Sequence, residues 1–154
     1  MIYAFTMAFA VLSGWYDARD IRLKRDIDHG VRWAFRAMVV GIASCIAMMF
    51  TDRPVWHVLP LAVGCGFLFS FVFRLSLNLW RGEWWWYMGA RLDKRGEGTG
   101  ASIYDTLWHF LAWVSAGCLG KYDPYYPERL PAILAYAFEL VVFALTVWWA
   151  CLHR

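Results

Sequence analysis

Uncharged stretches alternate with short charged ones along this chain, and their spacing predicts the elements. Residues 1–16 carry no charge and predict a short first hydrophobic helix, continuing through the polar stretch 15–22. Residues 37–51 are again charge-free, and with an amphipathic lead-in from Val31 they predict a second helix. Thr51-Asp52-Arg53-Pro54 reads as a tight turn, with Pro54 at a first-turn position. Residues 54–73 form an uncharged run long enough for a bilayer core of roughly 30 Å, and that helix is expected to reach about Trp80. The segment 81–102 is a long connection holding an aromatic cluster, Trp84-Trp85-Trp86-Tyr87, and the GEGTG run. Residues 106–120 are uncharged, with a length that fits either a short span or a re-entrant helix. The segment 122–131 holds three prolines and reads as a loop, and 132–152 form a last span interrupted only by Glu139.

Two polar stripes break this apolar background. The first is His29, Arg32 and Arg36; the second is Arg74, Asn78 and Arg81. Spacings of three and four residues put each set on one helix face. Charges within apolar spans are costly and call for a partner or water. Arg36 and Arg74 lie about five and six residues inside their helix ends, or roughly 7–9 Å, so the stripes sit at matching depth. If the two helices pack, the stripes meet in one basic site.

Composition sharpens the class. Of 154 residues, 61% are hydrophobic, against roughly 45–50% in a soluble domain even with glycine counted. Eleven Trp and eight Tyr suit the headgroup layer of a bilayer. The length allows one domain, residues 1–154, and no internal repeat is visible. The expected fold is therefore all-α: a polytopic transmembrane bundle of four or five membrane-embedded helices. Cys45, Cys65, Cys118 and Cys151 all lie in apolar segments without metal-ligand spacing, and read as small buried side chains. The first segment lacks a positive n-region and a cleavage motif, so it is expected to stay as a helix. Net charge is only +3, but the basic residues concentrate in 16–36 and 81–103. Those segments should face the cytoplasm, with the N-terminus outside. The C-terminus then lies inside if 104–120 spans and outside if it does not.

Two readings of the stripes stay open. In one, arginines pair with nearby acids and lock the bundle, with long side chains snorkelling to the interface. In the other, they form a pocket for an anion such as a phospholipid headgroup, which the planar guanidinium fork suits. Asp17, Asp20, Asp28 and Asp93 are the candidate acidic partners, and with His29 they could hold a Mg²⁺ ion. His29 also has a side chain suited to general base chemistry. His57, His109 and His153 share no spacing with it, so a histidine-rich metal centre is not indicated. Glu139, mid-span, is a functional candidate by position. Its expected role is a protonated carboxyl bonded to Ser115, Ser44 or a Trp indole, remote from Arg74.

A resemblance joins these pieces. Asp26-Ile27-Asp28-His29-Gly30 is followed by Arg32-x-x-x-Arg36, then Phe73-Arg74-x-x-x-Asn78-Leu79-x-Arg81-Gly82 and Tyr87-x-Gly89-x-x-x-Asp93. Over about residues 15–95 this resembles a group of small phage- or prophage-borne membrane proteins of uncharacterised activity. Arg74 departs from that pattern, which has an aspartate there. The resemblance implies a multi-span membrane protein and carries no activity with it.

The expected function is a non-enzymatic accessory or envelope-modifying protein of a bacterial inner membrane. Its basic site would bind an anionic headgroup. Membrane lipids are the expected partners, nucleic acid is not, and a homo-oligomer is compatible. A small enzyme acting on a lipid phosphate, or a small transporter using Glu139, are the alternatives. No cofactor is required beyond the Mg²⁺ that the enzyme alternative would use.

Overall fold

A computed structural model describes residues 1–25, 28–51, 54–83, 85 and 129–152. Among these residues the chain is all-α, with helices and the turns joining them and no strand. The helices are α1 (Ile2–Arg22), α2 (His29–Met49), α3 (Val58–Arg81) and α4 (Arg129–Leu152). A single 3₁₀ turn, Val55–His57, leads into α3.

Local chemistry sets the ends. Asp28 caps α2, its side chain accepting from the Val31 N–H at 2.9 Å, so the helix begins two residues before the apolar pattern does. Gly82, at φ 74°, ends α3 in the left-handed conformation that glycine adopts without strain. The Glu83 N–H then reaches back to the Asn78 carbonyl at 2.9 Å. At the end of α1 the equivalent left-handed position falls on Lys24, at φ 52°, and the Arg25 N–H bonds the Asp20 carbonyl at 3.0 Å. Helix α4 starts earlier than expected, at Arg129. Pro131 is then its third residue, where the missing N–H would have no partner inside the helix anyway. Pro60, Gly64 and Gly66 do not break α3, which is continuous past all three.

Helix α3 is the centre of the bundle. Phe9 of α1 packs on its Phe69 at 5.5 Å, and Trp33 of α2 meets Phe73 edge-on at 5.5 Å. On the other side Phe71 meets Tyr136 of α4 at 5.5 Å, and His57 meets Trp149 at 4.9 Å. These pairings make α1 and α3 parallel, with α2 and α4 running the opposite way. Two glycines set the closest approaches. A Cβ on Gly14 would lie 2.8 Å from Ser76 Oγ and 2.9 Å from the Leu77 nitrogen. One on Gly64 would collide with Thr146 of α4. Small residues at such crossings are how apolar helices approach without a hydrophobic driving force.

The topology has a consequence for the chain's two ends. Helix α3 finishes, and α4 begins, at the end of the bundle where α1 turns into α2. The C-terminal end of α4 therefore lies beside the start of α1. Residues 104–120, on which the side of the C-terminus was expected to depend, lie outside the described residues.

Polar side chains are buried beside the apolar core of Ala10, Val40, Cys65, Phe69 and Phe73. Among the described residues the largest fully buried side chains are Glu139, Thr6, Asp20, Cys65 and Ser44. Phe5, Leu12, Phe35, Ile42, Val141 and Trp148 point outward. Where four or five membrane-embedded helices were expected, two among the described residues are long and apolar enough to cross a membrane, Gly30–Met49 and Val55–Arg81. Helix α1 falls short because Asp17, Arg19, Asp20 and Arg22 fill its last turns.

Candidate functional site

Among the described residues whose side chains are placed, every Asp, Glu, Lys and Arg except Glu139 lies in 17–36 or 74–83. Those two segments come together at the end where α1 and α3 finish and α2 starts. Two polar groups form there.

The first joins α1 to α2. Arg32 donates to both acids of α1: Nη1 to Asp17 Oδ1 at 2.6 Å and Nη2 to Asp20 Oδ2 at 2.5 Å. Arg36, one turn deeper, places Nη2 at 2.6 Å from the same Asp17 oxygen. Arg25 completes the group at 3.4 Å from Asp20 Oδ1, with 57% of its side chain exposed. Asp17 and Asp20 are one turn apart on α1, and Arg32 and Arg36 one turn apart on α2, so the antiparallel pairing brings all four together. Aromatic faces support the cations. Arg36 lies 4.4 Å from the Phe73 ring centroid and Arg32 lies 5.2 Å from that of Tyr16. The Arg32 hydrogen bond holds the Asp20 carboxyl below its ordinary value of 3.8; the charges of Arg32, Arg25 and Arg19 act the same way, against burial.

The second group lies between α3 and α4. Ser70, Arg74 and Asn78 recur at four-residue intervals on one face of α3 and are buried. Asn78 Nδ2 and the Tyr136 hydroxyl both donate to the Trp85 carbonyl, at 3.1 and 2.8 Å. Ser70 Oγ donates to Glu139 Oε1 at 2.7 Å. Arg74 and Glu139 both act electrostatically on the Tyr136 hydroxyl.

The two stripes thus turn inward at similar depth but into neighbouring groups. Arg32 and Arg36 face α1, while Arg74 and Asn78 lie towards α4. The switch occurs between Phe73, under the Arg36 guanidinium, and Arg74, the next residue of α3. Arg81 is half-buried at the rim. Asp28 is occupied as the α2 cap. His29 opens α2, but its side chain, like Asp93, lies outside the described residues. Glu139 bonds Ser70, not Ser44, whose hydroxyl returns to the Val40 carbonyl at 2.8 Å. Ser115 lies outside the described residues.

Ser70 and Tyr136 were missed from sequence. Both had a visible signal: Ser70 extends the Arg74–Asn78 stripe by one turn, and Tyr136 sits three residues before Glu139. The Trp85 carbonyl had none. As for metal, no group of three or more His, Cys, Asp or Glu side chains able to hold an ion occurs among the described residues. The Asp17 and Asp20 carboxylates accept guanidinium bonds instead. No protein-family model, curated protein or solved structure matches the chain.

Proposed function

We propose that the protein is a membrane-embedded, non-enzymatic helical bundle. In this reading its charged end lies at the cytoplasmic leaflet and binds anionic phospholipid headgroups. One observation carries the reading. At one end of a bundle with apolar sides, three guanidinium groups face two carboxylates, and the surplus cation is on the exposed side. Arg36 and Arg32 are held at about 2.6 Å, whereas Arg25 keeps only the longer 3.4 Å contact with Asp20 and is mostly solvent-exposed. A partner so weakly held exchanges a carboxylate for a phosphate at little cost. Arg36, Arg74 and Asn78 then serve as the inner wall, with Arg32 and Arg81 at the rim. Positive residues at the cytoplasmic boundary fit the general bias of membrane proteins.

The test compares thermal stability in bilayer discs of anionic and zwitterionic lipid. Anionic lipid should stabilise the wild type more, by about 2.7 kcal/mol at a hundredfold excess over Kd. Arg25→Gln should remove most of that difference, and Lys24→Ala should leave most of it, since a surface charge contributes only about 1 kcal/mol. Equal stability in the two lipids would overturn the reading. So would a preference lost in Lys24→Ala and kept in Arg25→Gln.

A further inference from the structure

Glu139 has no place in headgroup binding, yet among the described residues it is the largest fully buried side chain, at 0% exposure. It sits in the middle of α4, ten residues past Arg129 and thirteen before Leu152. A carboxyl at such a position costs stability unless it is bonded or protonated, and such groups are commonly functional. Ser70 supplies one bond, to Oε1.

Its surroundings are unequal along the bundle axis. Towards the charged end, polar groups follow one another at single-turn spacing. Arg74 and Tyr136 come first, and then Asn78 and the Trp85 carbonyl, which binds both the Asn78 amide and the Tyr136 hydroxyl. Towards the other end the path closes. Phe143 is one turn on and is met edge-on by Tyr3 of α1 at 5.4 Å. Beyond it Thr146 presses on Gly64, its hydroxyl turned to the Phe143 carbonyl at 2.7 Å. Arg74 from α3 and Tyr136 from α4 are the titratable groups near Glu139 among the described residues; α1 brings Tyr3, one turn away.

We propose that Glu139 is a reversible proton-binding site that exchanges with the charged end of the bundle. A carboxylate oxygen takes a proton from water at that end and returns it by the same route. Arg74 stays charged throughout, because a guanidinium does not deprotonate in proteins. Proton binding at Glu139 therefore raises the net charge of this buried region by one. Ser70, donating to Oε1, is a positioning residue. Headgroup binding is not required for any of this.

Infrared difference spectroscopy of the full chain in proteoliposomes tests it. As the pH is cycled across the range in which the chain stays folded, the carbonyl stretch of a protonated carboxylic acid should disappear and return. Above the midpoint the protonated fraction should fall about tenfold per pH unit. The band should be lost in Glu139→Gln. In Ser70→Ala it should persist at a shifted frequency, which tests the assignment even if Glu139→Gln fails to fold. In vesicles of known orientation it should follow the pH on the side of residues 24 and 83. The proposal is overturned if no band titrates, if the band is unchanged in Ser70→Ala, or if it follows the opposite side.

Discussion

Replacing Asp17 by Asn removes the anion that two arginines share while leaving the shape of the side chain. Asp17 Oδ1 receives Arg32 Nη1 and Arg36 Nη2, each at 2.6 Å. The two arginines fare differently without it. Arg32 keeps Asp20 and is partly exposed, so it can turn to water or lipid phosphate. Arg36 is 6% exposed and rests on Phe73, and Asp17 is the acid it contacts. Stranding one member of a buried pair costs about 3–5 kcal/mol. The Phe73 ring returns about 1–2 kcal/mol of attraction to the cation, present before and after the change. Asp17→Asn is therefore expected to lose about 3 kcal/mol, the low end, because half of the network survives. Removing both charges tells stranded charge apart from lost attraction. Asp17→Leu with Arg36→Met leaves apolar side chains of similar reach, and such replacements of buried pairs are often neutral. The double variant should recover at least half of the single variant's loss. Reversible unfolding in mixed micelles, followed by circular dichroism at fixed lipid composition, reads both. A single variant within about 0.5 kcal/mol of wild type, the range of ordinary surface changes, would refute the reasoning. So would a double variant no better than the single.

Two further outcomes follow from the same geometry. Gly14→Ala pushes a methyl into Ser76 and the Leu77 backbone and should cost about 1–3 kcal/mol, whereas Gly41→Ala, with nothing within 4 Å, should cost nothing; paired unfolding curves check the contrast. Asp20's carboxyl is held below 3.8, so its contribution to stability is present above that pH and is lost as the pH falls through the lower folded value; an acid titration of unfolding should show that loss only below about pH 4, and Asp20→Asn should flatten it.

The sequence exposed the helices because apolar runs of this length have few other outcomes, and it exposed the stripes because arginine is conspicuous among Leu, Val and Phe. Which partner each stripe takes depends on rotation and register, which single-helix periodicity does not contain. Arg36 rests on Phe73, the residue before Arg74 in α3. The one-residue step from Phe73 to Arg74 sends the two arginines to different neighbours. Ser70 was overlooked since serine mid-helix so often bonds its own backbone, as Ser44 does with Val40. Gly14 gave no signal of its own, because a close crossing is a property of two helices. Lys24 hid the end of α1, where a left-handed residue would ordinarily be Gly or Asn. Glu139 stood out at once, but its serine and its tyrosine became visible only when α3 and α4 were aligned antiparallel.

The orientation of the bundle is the central claim, and cysteine accessibility tests it most directly. On a background with Cys45, Cys65, Cys118 and Cys151 replaced, single cysteines are placed at 24 and 83, at the charged end. Others are placed at 2 and 152, at the opposite end. A membrane-impermeant maleimide should label 24 and 83 only from the cytoplasmic face, and 2 and 152 only from the other. Labelling of 24 and 83 from opposite faces, or of 24 and 2 from the same face, would contradict the arrangement.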